Sequence, residues 1–145
     1  MLAILSRTAS TLRVASRSMS TIPVDHVARV VRMHVADEES AMKADALLQQ
    51  GLTLLKAENP AGFVEVRRTV CKAEWAYEVE ITFEVAGFKD YMESEFREKH
   101  LNPLLGQMVA LNTGDAVYQG NRVYNSYGGL GSAEFNKMMA ELKEE

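Results

Sequence analysis

Residues 74–105 limit the fold more than any other stretch of this sequence. From Trp75 to Val85 every second side chain is large and apolar, which is the period of a strand with one dry face. From Phe88 to Phe96 the apolar side chains recur at helical spacing instead. A strand that runs directly into an amphipathic helix can bury its apolar side under that helix. We therefore expect the other elements to pack around this pair.

The composition is that of one ordinary folded domain, with 145 residues that are 47% hydrophobic and 25% charged. The net charge of -4 argues against a nucleic-acid partner, because such proteins usually carry a basic face. No apolar run reaches the about 18 residues of a membrane-spanning helix, so we expect no transmembrane segment. Cys71 is the only cysteine, which excludes an intrachain disulfide and a thiolate zinc cluster. We expect it to be a small buried residue of a strand.

The first 24 residues predict a mitochondrial targeting presequence. They contain Arg7, Arg13 and Arg17, many serines and threonines, and no acidic residue, which is the bias of a segment imported into the matrix. The Arg-Ser-Met-Ser segment that begins at Arg17 resembles a matrix-protease site. Loss of the three arginines would change the net charge from -4 to -7. A disordered tail and a plastid transit peptide are the alternatives.

Apolar periodicity and turn residues predict the remaining elements. We expect a strand over 25–35, a helix from Asp37 to Asn59, strands over 63–70 and 75–85, a helix from 88 that breaks at 102–103 and resumes to 111, a strand over 116–127, and a closing helix over 133–143. The buried stripe of the first helix should contain Met42, Leu47, Leu48, Leu52 and Leu55. Gly120 marks either a hairpin or a bend in the last strand, and we favour one bent strand.

This order of elements predicts an α+β fold, a ferredoxin-like βαββαβ sandwich in which a four-stranded antiparallel sheet carries both helices on one face. The domain would span residues 25–127, followed by a linker and C-terminal helix over 128–145. Because both parities of the first strand are partly apolar, we expect the second sheet face to be apolar and to need a cover. A second copy would supply that cover, which predicts a homodimer that forms a dimeric α+β barrel.

Three segments carry a family pattern: Asp25-His26-Val27, the Trp-Ala-Tyr-Glu-Val-Glu-Ile-Thr-Phe-Glu run of 75–84, and Asp90-Tyr91. They resemble the stress-response A/B barrel (Dabb) family of the dimeric α+β barrel superfamily. The similarity covers roughly residues 25–111. The last strand, with Gly120 and several tyrosines, departs from the shorter apolar strand that is typical of the family.

The resemblance implies a pocket between sheet and helices with His26, Tyr91 and His100 as catalytic residues. In polyketide cyclases of this family, histidine and tyrosine side chains at such positions perform acid/base work on an aldol-type ring closure. The family's second histidine follows the tyrosine by six residues, where Arg97 stands here, whereas His100 follows by nine. Imidazole can take a proton from carbon near neutral pH, and a phenol can donate to an enolate. The alternative is that these residues only stabilise the fold and take no part in catalysis.

A metal site is not expected, since His26 and His34 stand eight residues apart on one strand, roughly 26 Å at about 3.3 Å per residue. We expect no cofactor either.

The glutamates at 78, 80 and 84 share one face of the third strand. They are either paired acid/base groups or a polar strip that faces solvent or a partner, with Arg67 or Arg68 on the neighbouring strand to neutralise it.

Two functions of different classes fit this sequence. The first is a small mitochondrial barrel that binds an apolar or aromatic molecule between sheet and helices. A cofactor-free cyclase, lyase or monooxygenase activity on that molecule would be an additional property of this barrel. The second is a non-catalytic accessory or structural subunit of a larger mitochondrial complex. It would dock through the tyrosine-rich last strand and the closing helix, whose Met138 and Met139 suit protein contacts.

Overall fold

The structure, a computed structural model, describes residues 23–114 and 116–143. Nearly all of the predicted presequence, 1–24, lies outside these residues. The described elements are β1 (His26–His34), α1 (Glu38–Glu58), β2 (Phe63–Cys71), β3 (Ala76–Glu84), α2 (Val85–Met92), a π-helical turn (Arg97–Leu101), α3 (Asn102–Val109), β4 (Tyr118–Tyr124) and α4 (Ala133–Lys143). Among them there is no helix with the length and apolar character needed to cross a membrane.

The four strands form one antiparallel sheet in the order β2-β3-β1-β4. This order and the βαββαβ succession confirm the predicted ferredoxin-like fold. β4 pairs with β1 without interruption, from His26 opposite Tyr124 to Arg32 opposite Tyr118. The last strand is therefore a single strand rather than a hairpin, although it is shorter than the predicted 116–127.

α1 begins as predicted, because the Asp37 carboxylate accepts the Ser40 backbone N–H at 2.9 Å and caps the helix. The predicted buried stripe needs one correction, since the Met42 side chain is exposed. The residues of α1 that are buried are Ala41, Ala44 and Leu55. Small alanines on this stripe let α1 lie close to the sheet, and Met42 points about 100° away from Ala41 on the helix.

The helical segment after β3 differs from the prediction at both ends. α2 begins at Val85, not Phe88, and the interruption falls near Ser94, whose hydroxyl accepts the Arg97 N–H at 3.2 Å. The chain then continues through Pro103 without the predicted break. A π-helical turn, in which the Asn102 N–H donates to the Arg97 carbonyl, precedes the proline. This wider turn accommodates a residue that has no N–H to donate.

The helix-covered face of the sheet holds the predicted alternating side chains of β3. Phe83 is fully buried and stacks on Tyr91 of α2, with ring centroids 4.3 Å apart. A cluster of buried core residues on the same face contains Val79 and Tyr77 of β3 and Met33 of β1. Trp75, predicted to begin this strand, lies instead in the preceding turn with a φ of 55°.

The opposite face of the sheet corrects the expectation of an exposed apolar surface. Its apolar side chains are small, and Ala28 and Val30 are both fully buried. Charged side chains of all four strands and the rings of Tyr118 and Tyr124 share this face with them. The outward surface of this sheet face is therefore polar.

Cys71, at the end of the edge strand β2, is exposed rather than buried as predicted.

An ion-pair network on this face joins β3 to β4 across β1. Arg122 donates to Glu78 at 2.9 and 3.1 Å and to Glu80 at 2.9 Å. Arg122 lies opposite Ala28 in the register, and so small a side chain lets the guanidinium reach over β1. The counter-charge for the glutamates thus comes from Arg122, not from the predicted Arg67 or Arg68. Those arginines pair with Glu65 and Asp45.

Candidate functional site

A cavity of about 90 Å³ lies between the sheet and the helices. Its lining is mainly aliphatic and comes from β1, β3, α1, the π-helical turn and α3: Val31, Leu48, Val79, Ile81, Leu101, Leu104, Leu105 and Met108. An engineered apolar cavity of about 150 Å³ accepts benzene, so the enclosed part of this cavity suits a chemical group smaller than benzene. The cavity is partly open to solvent, and a longer ligand could extend through that opening.

Tyr91 supplies the buried polar group of this cavity. Its ring packs on Phe83, and its side chain is almost completely buried. Burial raises the pKa of Tyr91 to about 12, against the opposing influence of the positive charges on Arg97 and Arg29. At neutral pH the phenol is therefore protonated and acts as a hydrogen-bond donor.

Two arginines, Arg29 and Arg97, line the cavity beside Tyr91. Arg97 Nη1 donates to the backbone carbonyl of Met92 at 3.2 Å, and Arg29 Nη1 donates to Asn121 Oδ1 at 3.1 Å. Both partners are neutral. Because a guanidinium stays charged at every physiological pH, the cavity carries two permanent positive charges.

The π-helical turn shapes one wall of the cavity. It begins at Arg97 and ends at Leu101, and both residues line the space. Single π-helical turns inside helices are frequent at functional sites. Here the turn places a charged and an apolar side chain, four residues apart, against the same cavity.

The structure separates the three predicted catalytic residues. Tyr91 lines the cavity, but His26 lies on the opposite face of the sheet, because its neighbour Val27 is the residue that pairs with Phe83 on the helix side. His26 stacks on Tyr124 with ring centroids 5.1 Å apart, and its Nδ1 is buried without a hydrogen-bond partner among the described residues.

His100 is exposed on the π-helical turn, with its ring 5.9 Å from that of Phe96. The third histidine, His34, is bound to Glu74, with Nε2 3.1 Å from Oε1. Within residues 23–114 and 116–143, no three His, Cys, Asp or Glu side chains are grouped as metal ligands.

Arg29 and Arg97 are the site residues that the sequence did not identify, although a signal for Arg97 was present. Arg97 stands six residues after Tyr91, at the spacing where the Dabb-like pattern has its second histidine. Arg29 shares its strand parity with Val27 and Val31, but the other parity of β1 is also partly apolar, so parity alone does not place Arg29 on the face that the helices cover.

The chain has no match among protein-family models or curated proteins, but solved structures share its fold. A Caulobacter crescentus CB15 protein with the provisional name antibiotic biosynthesis monooxygenase aligns with a TM-score of 0.55 and 14% identity, over 76% of this chain and 99% of that protein. SnoaB, a cofactor-independent oxygenase from Streptomyces nogalater, aligns with a TM-score of 0.51 and 13% identity, over 74% and 99%. These likenesses place the chain among ferredoxin-like α+β proteins.

Proposed function

We propose that this protein is a mitochondrial member of the stress-response A/B barrel family that binds a small apolar or aromatic molecule between its sheet and helices. The observation that carries the proposal is the cavity itself. It combines an aliphatic lining with a few converging polar groups, which is the usual make-up of small-molecule sites. The resemblance of segments 25–27, 75–84 and 90–91 to the Dabb family supports the same reading.

The chemistry of the lining favours binding and charge stabilisation over proton abstraction. The polar side chains at this cavity belong to Arg29, Tyr91, Arg97 and Asn102. None of these is an imidazole or a carboxylate, and a protonated phenol is not a base at neutral pH. Cyclase or lyase chemistry would therefore need a base from the substrate or from water, while Tyr91 and the arginines stabilised the developing oxyanion.

A binding experiment with a filled cavity tests this function. The full-length protein is titrated with neutral probes of increasing size, butanol, phenol and 1-naphthol, and binding is followed by ligand-observed NMR. We expect the wild type to bind the smaller probes. Leu104→Trp, which places an indole in the cavity, should abolish binding, and Leu130→Trp, at a position that is 88% exposed, should not.

Circular dichroism of both tryptophan variants checks that each is folded. A wild type that binds none of the probes, or a folded Leu104→Trp variant that binds all of them as well as the wild type does, would contradict the proposed function.

The C-terminal part of the chain favours a second function, that of an accessory subunit in a larger mitochondrial complex. Its exposed apolar side chains lie on β4, on the loop after it and on α4: Val123, Leu130, Met139 and Leu142. Apolar side chains of this type suit a protein contact. Native mass spectrometry of the protein from its own mitochondria should then show co-migration with a large assembly, and a lone subunit or dimer would argue against it.

We also propose a homodimer that pairs sheet to sheet and a location in the mitochondrial matrix. The Dabb resemblance supports the dimer, and the polar sheet face requires the contact to run through its tyrosines and ion pairs. Light scattering of the purified chain should give twice the subunit mass.

The arginine-rich first 24 residues support import. Isolated mitochondria should take up the full chain and fail to take up a variant with Arg7, Arg13 and Arg17 changed to Gln; uptake by plastids alone would favour the alternative.

A further inference from the structure

We infer that the ligand of this cavity is an acid, with a carboxylate held by Arg97 and Arg29 and a short apolar body inside the cavity. This inference rests on the proposed function, because it names the class of molecule that the same site takes.

The distribution of arginine partners is the first observation. On the rest of the described surface, arginines are paired with carboxylates at 2.6 to 3.1 Å: Arg32, Arg67, Arg68 and Arg122. Among the described residues Arg29 and Arg97 have no such ion pair, and their hydrogen bonds go to an amide oxygen and a backbone carbonyl. Of the arginines in residues 23–114 and 116–143, the two without an acidic partner are therefore the two that line the cavity.

The convergence of these arginines is the second observation. Both lie close enough to Tyr91 for their charges to lower the pKa of its buried hydroxyl. Two positive charges that face the same hydroxyl repel each other. A bound anion would offset their mutual repulsion and satisfy donors that the protein leaves free, since each guanidinium has five N–H groups.

The shape of the donors specifies a planar oxyanion. A guanidinium presents its N–H groups as a fork that matches the two oxygens of a carboxylate, and the Tyr91 hydroxyl can donate a further hydrogen bond. The aliphatic lining disfavours a strongly hydrated dianion such as phosphate and favours a hydrocarbon chain or ring. A monocarboxylate with a few carbon atoms would place its charge at the two arginines and its hydrocarbon part against the aliphatic lining.

Matched acids and amides test this inference on the full-length chain. Dissociation constants at pH 7 are measured by NMR titration for hexanoate against hexanamide and for butanoate against butanamide. Each pair has the same body and differs in charge. We expect the acids to bind at least tenfold more tightly, which corresponds to about 1.4 kcal/mol. Their affinity should fall with added KCl, while that of the amides should not.

Variants assign the preference to the two arginines. Arg97→Gln and Arg29→Gln should each weaken acid binding about tenfold, again about 1.4 kcal/mol, and should weaken amide binding by less, because an amide carbonyl accepts a hydrogen bond but carries no charge. Arg97→Lys should retain part of the acid preference. The matched control is Lys99→Gln, which removes the same charge two residues from Arg97 on an exposed side chain paired with Glu95, and it should behave as the wild type.

The possible outcomes separate this inference from the function on which it rests. If acids and amides bind equally well and both are lost in Leu104→Trp, the cavity binds small molecules but the acid preference is wrong. If neither member of either pair binds, both the inference and the proposed function are wrong. Should a variant fail to fold, the salt dependence of acid and amide binding by the wild type decides the question alone.

Discussion

Replacement of Arg122 by Ala should destabilise the fold through the carboxylates that it leaves behind. The Glu78 and Glu80 side chains are only 8% and 12% exposed, and Arg122 is the residue that bonds both. Without it, Glu78 keeps only Arg32, at 3.7 Å. The variant would thus hold two neighbouring, poorly solvated negative charges on β3.

The magnitude follows from the burial of the partners. Removal of one member of a fully buried ion pair costs about 3–5 kcal/mol, whereas exposed pairs contribute about 0–1 kcal/mol. Arg122 itself is 46% exposed, so water screens part of the interaction. We therefore expect a loss of about 2 kcal/mol in the free energy of unfolding, which lowers Tm by roughly 4–8 °C for a domain of this size.

The pH dependence of this loss gives the sharper assay. The hydrogen bonds from Arg122 are the main reason that the pKa of Glu78 lies below its usual value. The pair therefore stabilises the wild type fully above the pKa of an unfolded glutamate, and the contribution fades as pH falls towards the folded pKa. In Arg122→Ala the Glu78 carboxylate loses these hydrogen bonds and protonates more readily. The difference between wild type and variant should thus be largest at pH 7 and shrink towards pH 4.

Urea unfolding at pH 7, 5.5 and 4 measures this difference. Arg67→Ala is the control, since its pair with Glu65 is exposed on both sides and should contribute no more than about 0.5 kcal/mol. A loss in Arg122→Ala as small as that of the control, or a loss that stays constant from pH 7 to pH 4, would mean that Arg122 does not stabilise the fold through Glu78 and Glu80.

The remaining predictions concern the core and the close approach of backbone segments. Tyr77→Phe removes the hydroxyl that donates to Asp45 Oδ1 at 2.5 Å and should cost about 1–2 kcal/mol in urea unfolding; a cost near zero would mean that water replaces this bond. Gly87→Ala places a Cβ 2.5 Å from the Ala61 carbonyl oxygen and should cost about 1–3 kcal/mol. Gly106→Ala, where the added Cβ meets no atom within 4 Å, should stabilise α3 by up to about 1 kcal/mol. Equal effects of the two glycine substitutions would contradict this steric argument.

The sequence predicted the features that depend on local patterns. The alternation from Tyr77 to Phe83 and the Asp37 cap each act within a few residues, so period and chemistry were enough to place a strand and a helix start. The succession of these elements then allowed few topologies, and the observed sheet order is among them. The helix break predicted at Pro103 was wrong, because the π-helical turn before it lets the helix continue past a residue that has no N–H to donate.

The site could not be predicted because it depends on register and on which strand parity faces the helices. Both parities of β1 are apolar in part, so nothing in the strand itself assigned His26 to the outer face and Arg29 to the inner face. A shift of one residue exchanges the two. The Arg122 network is non-local in the same way, since it requires Ala28 to lie between Arg122 and the glutamates.

Intermolecular NOEs would show where a small acid lies on the full-length chain. With hexanoate bound, we expect NOEs from the terminal methyl group of the ligand to the methyl groups of Ile81 and Leu104. NOEs to Val30 or Tyr124 on the opposite face, or none to the two cavity residues at saturating ligand, would contradict it.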